Sequence, residues 1–320
     1  MSNAKFLSFA DGFKSGNGFI HLPIWEDVIL DMVGKRGTML SRIQTKKATG
    51  NPTRYVEKEK ANKTATFQDP HALGKKTMFA PKRVDKSAFI KAITNEIEFS
   101  HFDREVGEQQ NIFTGLTESD IRDMVSDLLT LQDAKLWTGN DTSLSTSSTN
   151  EYVGLLTQIT QKAEIGKGVN ILDAIRTEVA RLASQTDYDV RPSVIVVNPL
   201  TLDLIEQEEQ ARPNAVKQYE VELTGGIKVK GVMTAMGVLP IITDPYLPLE
   251  GTKHKIAVLS ENLLVRYYVG SDKPRIFGFG IQDESLNQKY MALQYDCIVA
   301  KGANYAHTIL TKDTSKDVKP

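Results

Sequence analysis

The chain is poor in the residues that most often carry chemistry: among its 320 residues stand one cysteine, two tryptophans and five histidines. A single cysteine closes no internal disulfide, which excludes a disulfide-framed secreted domain. Cys297 lies in the apolar run Cys297-Ile298-Val299-Ala300, where a buried, unreactive thiol is expected. The histidines (His21, His71, His101, His254 and His307) nowhere stand three or four residues apart, the spacing that sets two ligands on one helix face, so no metal site is expected. No apolar run approaches the roughly 18 residues that cross a bilayer. Nor does one charge prevail. Lys+Arg number 39 against 40 Asp+Glu, a net charge of -1, so no global field draws the chain onto nucleic acid or an anionic membrane.

Familiar catalytic signatures are missing too. Gly166-Lys167-Gly168 lacks the spacing of a phosphate-binding loop and follows no strand, so it reads as a turn ahead of a helix cap at Asn170. Glu206, Glu208 and Glu209 read as a solvated helix end, and Cys297 has no neighbouring His or Asn to activate it. Nothing in the sequence calls for a cofactor or an enzyme. The composition, 40% hydrophobic and 25% charged, is that of a globular protein.

What the chain does hold is order. From Thr117 to Thr138, Ile121, Met124, Val125, Leu128, Leu129, Leu131 and Leu136 recur at helical spacing. Thr117 is placed to cap that helix, Glu118 and Asp120 suit its positive end, and Gly139 supplies a left-handed stop. The helix runs into Leu136-Trp137-Thr138-Gly139-Asn140-Asp141, a Ser/Thr-rich gap, and then Glu151-Tyr152-Val153-Gly154-Leu155-Leu156. Ahead of it, residues 1–20 mix glycines with phenylalanines, and Pro23 opens a short helix bearing Trp25. Residues 50–85 read as two extended, polar arms around a flexible tip. With few apolar residues, such a hairpin is expected to stand off the body. Phe89–Phe99 fits a strand or a helix.

Later segments alternate. Asn170 caps a helix over Ile171, Leu172, Ile175, Val179 and Leu182; Ser193–Val197 is a buried strand; Asn198-Pro199 starts another helix. Tyr219–Leu223 and Ile227–Val232 flank Gly225-Gly226 as a hairpin, and Gly237–Asp244 is a strand. Strands are expected at 255–259, 264–269, 275–279, 290–299 and 306–310.

The order of helix, aromatic-Thr-Gly-Asn-Asp turn, Ser/Thr gap and aromatic-Val-Gly-Leu-Leu restart resembles the HK97-type major capsid proteins of tailed bacteriophages. So does the strand-Asn-Pro-helix unit followed by Gly237-Val238-Leu239-Pro240-Ile241-Ile242-Thr243-Asp244. The resemblance implies an α+β fold with an N-terminal arm (1–45), an extended E-loop hairpin (46–86), a peripheral domain with a long spine helix (87–151 and 263–302), an α/β axial domain (152–262 and 303–313) and a tail (314–320), and it places a long strand at Phe89–Phe99, before the spine helix. It implies a non-enzymatic shell subunit that assembles with itself into hexamers and pentamers around double-stranded DNA, in the virion, after assembly in a bacterial cytoplasm. Partners implied are a separate scaffolding protein, a portal protein, a decoration protein in some shells, and packaged DNA without sequence-specific contacts. No long helical extension precedes the arm, so an untrimmed N-terminus is expected. Arg54, Lys63, Lys75, Lys76, Arg83 and Trp25 are the candidate subunit-interface residues. Some such shells join lysine to asparagine, but solvated or ion-paired lysines are expected here. An encapsulin-like compartment shares the resemblance, and an α/β enzyme with a dispersed site is the reading from another class.

Overall fold

The computed structural model describes residues 37–58, 65–67, 70–71, 83–109, 113–211, 219–222, 228–279 and 287–316. The first strands are β1 (Gln44–Lys47), β2 (Thr53–Lys58), β3 (Arg83–Ala88) and β4 (Lys91–Phe99), followed by helices α1 (His101–Gln109) and α2 (Phe113–Thr138). One turn of helix, α3 (Leu155–Gln158), precedes β5 (Lys162–Ile165), α4 (Ile171–Ala183), β6 (Val194–Val197) and α5 (Pro199–Gln210). Then come β7 (Tyr219–Glu222), β8 (Lys228–Thr234), β9 (Gly237–Thr243), β10 (Lys253–Leu259), β11 (Leu264–Tyr268), β12 (Arg275–Phe279), β13 (Gln288–Ala300) and β14 (Thr308–Asp313).

The chain forms two compact units. The larger comprises Arg36–Ala92, Leu131–Asp272 and Tyr295–Pro320, and the described residues of the smaller are Ile93–Thr130 and Lys273–Gln294.

A seven-stranded sheet in the order β5-β14-β10-β6-β9-β8-β7 centres the larger unit. All four residues of β6 are buried, as a strand covered on both faces requires. Against it pack Ile171, Leu172, Ile175, Val179 and Leu182, the single apolar stripe of α4, together with Ile205 of α5. Both helices start where the sequence predicts. Asn170 Oδ1 accepts from Leu172 N at 2.9 Å and Asn198 Oδ1 from Leu200 N at 3.1 Å, with Pro199 at the first helical position. The Gly166–Gly168 segment is a turn, with Gly168 at φ 72°, but contrary to expectation it follows a strand directly, the four-residue β5.

In the smaller unit, Met124 and Leu128 of α2 close over Ala292 of β13, with Ile93 and Ile97 of β4, Leu129 and Tyr290 around them. The ambiguous 89–99 segment is thus a strand. Its alternation puts Ile93, Asn95 and Ile97 toward the helix, where Asn95 Nδ2 donates to Met124 O at 3.1 Å. Truncating such a buried leucine to alanine costs about 2–5 kcal/mol.

Several expectations are corrected. α2 begins at Phe113, so Thr117 lies inside the helix and does not cap it. Leu131, placed by spacing on the apolar stripe, is 46% exposed, because the stripe drifts around a helix of this length. α1, β1, α3 and β5 are too short to have shown a period. The glutamates after Ile205 do more than meet solvent: Glu208 accepts from Ile171 N at 2.9 Å, tying α5 to the start of α4, and Glu209 is buried. The Pro23 helix lies outside the described residues.

Candidate functional site: a locked loop and a docked hairpin

At the end of α2 the backbone doubles back on itself. Asn140 and Val153 form an antiparallel bridge, and Asp141 N donates to Tyr152 O at 3.1 Å. Two glycines make this approach possible. A Cβ on Gly154 would stand 2.7 Å from Gly139 N, and one on Gly139 would stand 2.8 Å from the Tyr152 carbonyl carbon. Gly139 does not have the positive φ of a left-handed stop; it serves close approach instead.

Between the glycines, Asp141 gathers the Ser/Thr loop. Its Oδ1 accepts from Thr142 N at 2.8 Å and Ser148 Oγ at 2.6 Å, and its Oδ2 from Lys91 Nζ at 2.7 Å. Lys91 Nζ also donates to Ser147 Oγ at 2.6 Å and to Thr149 O. The side chains of Lys91 and Asp141 are 8% and 0% exposed. Burial acts to raise the Asp141 pKa, but the hydrogen bonds from Lys91 and Ser148 outweigh it and hold the carboxyl below its usual range. Ser147 beside a lysine has the look of a Ser–Lys dyad. A general base needs a lone pair, however, and each of the three ammonium donors of Lys91 already has an acceptor, in Asp141, Ser147 and Thr149. The group is a lock for the loop, reinforced by Lys135 Nζ on Glu151 at 2.9 Å.

A second buried carboxylate sits differently. Asp296 of β13 accepts from Tyr152 Oη and Gln132 Nε2, with the Arg266 guanidinium at 3.7 Å. Burial raises its pKa to about 6, more than those three partners lower it.

The hairpin β2–β3 is antiparallel, Thr53 opposite Ala88 through Lys58 opposite Arg83. Its base does not stand clear of the body, as its polarity suggested: Thr53, Tyr55 and Glu57 alternate as a buried face. Tyr55 stacks on Tyr267 at 6.4 Å, with Lys301 Nζ over both rings. Glu57 accepts from Gly302 N at 3.1 Å and from Lys86 Nζ at 2.6 Å. Beneath them His307, wholly buried, accepts at Nδ1 from Ser260 N at 3.2 Å and donates from Nε2 to Lys301 O at 3.0 Å. Burial lowers the His307 pKa to about 4.

Of the candidate interface residues, Arg54 and Arg83 are exposed on this hairpin, Arg54 lying 3.9 Å from Asp85. Trp25, Lys63, Lys75 and Lys76 lie outside the described residues. Among the described residues no group of His, Cys, Asp or Glu could hold a metal ion, and no helix is long and apolar enough to cross a membrane. An open cleft of about 730 Å³ beside β5 is lined by Arg181 paired to Glu178, by Thr308, whose hydroxyl also bonds Glu178, and by the stacked rings of Tyr188 and Tyr305, 3.8 Å apart.

Solved structures match about nine-tenths of the chain. A chain of Gordonia phage Cozz superposes with TM-score 0.59 at 13% identity, covering 91% of each chain. The chain has a phage-capsid-like fold. A chain from the capsid of an empty GTA particle matches this capsid-like fold with TM-score 0.58 at 13% identity, over 89% of this chain and 100% of that one. A chain from the capsid of Myoviridae phage XM1 matches with TM-score 0.55 at 10% identity, over 92% and 99%. No family model and no curated protein sequence matches.

Proposed function

We propose that this chain is the major capsid subunit of an HK97-type shell, assembling with itself into hexamers and pentamers that enclose double-stranded DNA. The observation that carries the reading is the capsid-like fold across nine-tenths of the chain, matched over the whole or nearly the whole of the capsid chains. In this reading α2 is the spine helix and β2–β3 the base of the E-loop. The peripheral domain is 87–151 with 263–302, and the axial domain is 152–262 with 303–313. The docked base supports such a role, since a hairpin that reaches a neighbour transmits position only if its root is held.

Charge supports it as well. The outward face of β2–β3 carries Arg54, Lys58 and Arg83, and α2 carries Asp120, Asp123 and Asp127. Asp120 is raised in pKa by burial first and by the neighbouring charge of Asp123 second. The basic hairpin of one copy resting on the acidic helix of the next would offset that charge, and contacts repeated around a closed shell need not each be strong. The shell would take a scaffolding protein and a portal as partners, and near-neutral charge suits confining DNA without gripping it.

Electron micrographs of the expressed protein test the reading directly, closed shells being expected and a small soluble oligomer overturning it. Deleting the tip, Lys60–Lys75, should leave a folded subunit that forms no shells. The pair Arg54→Glu and Arg83→Glu should weaken assembly at low salt, and Asp123→Lys should restore part of it.

A further inference from the structure

Strand β12 ends the strand order of its sheet, and among the described residues nothing pairs with its outer edge. Edge strands are usually blunted by lysine, proline, a bulge or an inward charge. Such devices stand only at the start of β12, in Arg275 and in Lys273-Pro274 ahead of it; Ile276-Phe277-Gly278-Phe279 carries none, and Ile276, Phe277 and Phe279 are 50%, 40% and 40% exposed. The register with β13 sorts the side chains by face. Phe277 and Phe279 stand opposite Met291 and Lys289, whereas Ile276 and Gly278 stand opposite Ala292 and Tyr290, on the side that Met124 and Leu128 of α2 cover. Apolar groups therefore meet the open edge on both faces.

We propose that β12 pairs antiparallel with β12 of a second copy, about a two-fold axis through Phe277. The sequence Arg275–Phe279 is complementary to itself in that register. Phe277 meets its own image as an aromatic cross-strand pair, and Arg275 meets the partner's Phe279 at both ends, a guanidinium beside an aromatic ring. On the other face Ile276 meets the partner's Gly278. The absent side chain there leaves room for the Tyr290 ring, whose Cε1 lies 3.3 Å from where a Cβ on Gly278 would be, and Ile276 packs against that ring. A slip of one residue would set Arg275 against glycine and turn each α2-covered face against the other sheet's uncovered one. The contact is isologous, so one strand supplies both halves of it. It reaches beyond the shell reading and does not depend on it.

Phe277→Cys tests the pairing in the full-length protein. Directly opposed residues of antiparallel strands have Cα atoms about 4.5–5.5 Å apart, inside the span of roughly 4.4–6.8 Å that a disulfide bridges. Cys297 adds no background, being 2% exposed with a thiol that burial pushes up to about 12. Mild oxidation should convert F277C to a disulfide-linked dimer about tenfold more efficiently than Ile276→Cys, whose position faces glycine. F277C that remains monomeric, or that links no better than I276C, overturns the proposal. So does preferential linkage of F277C to Val56→Cys in a mixture of the two variants, which would show the hairpin of another copy covering the edge. In the unmodified protein the amides of Ile276–Phe279 should gain hydrogen-exchange protection as concentration rises; unchanged exchange in associated protein overturns the pairing too. Micrographs of the same samples separate the two readings: F277C dimers without shells uphold the strand pairing and sink the shell, and shells without dimers do the reverse.

Discussion

Asp141 and Asp296 are the same residue type, each almost wholly buried in the same unit, yet their environments push them in opposite directions. Asp141 has an ammonium in direct contact at 2.7 Å and further hydrogen bonds from Thr142 N and Ser148 Oγ, so its charged form is the favoured one. Asp296 has a phenol and an amide as close partners and its cation only at 3.7 Å, so desolvation wins. Burial alone does not decide the charge of a carboxylate. A hydrogen-bonded cation does, and the two sites consequently differ in what they tolerate.

Breaking the charged site should cost most. Asp141→Ala leaves Lys91 buried without its counter-charge, and a loss of about 3–5 kcal/mol is expected, read from the urea midpoint. The double variant Lys91→Met with Asp141→Leu should recover much of that; a double variant no better than D141A would mean that the loop needs the hydrogen bonds and not the pairing. Asp296→Asn comes next, and its effect depends on pH. With a folded pKa of about 6 against 3.8, Asp296 contributes stability that is complete below pH 3.8 and lost as pH rises through 6. At about 1.4 kcal/mol per unit, the advantage of wild type over D296N should fall by about 2.4 kcal/mol between pH 4 and pH 7. His307 works the other way. Its folded pKa of about 4 against 6.5 gives stability complete above pH 6.5 and lost as pH falls through 4. The two nearly offset one another in wild type, so D296N should uncover a steeper acid loss, and a pH-independent difference between the two proteins would refute the assignment. The smallest effect is expected of Tyr152→Phe, which removes one donor to Asp296 and should cost about 1–3 kcal/mol. It should also move the Asp296 transition to higher pH, visible in the same titration.

The features legible in the sequence were those set within a few residues. Asn170 and Asn198 cap their helices by bonding two residues ahead, and β6 is a run of four β-branched residues, so propensity and structure agree. Periodicity left Phe89–Phe99 open because Ile93 and Ile97 satisfy both periods; the strand expected from the resemblance is the one found, held by packing against α2. Gly139 was placed at the right turn for the wrong reason, since what demands glycine there is Tyr152, thirteen residues on. The hairpin base was misjudged because Glu57 looks like a solvent residue until Gly302, 245 positions away, offers it an N–H. A signal was present nonetheless: Thr53, Tyr55 and Glu57 share one strand face, and Tyr is a poor choice for a face meeting only water. Asp296 carried one too, an acid just ahead of the apolar run 297–300, whereas nothing marked Lys91 as more than a strand-initial lysine.

The smaller unit is discontinuous, with α2 made early and Ala292 late. A ribosome adding roughly 5–20 residues per second needs about 7–28 s to translate Leu131–Asp272, which separates the two segments. Throughout that interval Met124 and Leu128 can be covered by β4 but not by β13. The nascent chain therefore carries an unfinished apolar surface on its way to completion, and a chaperone that shields it should raise the yield of folded subunit more than one that acts after release.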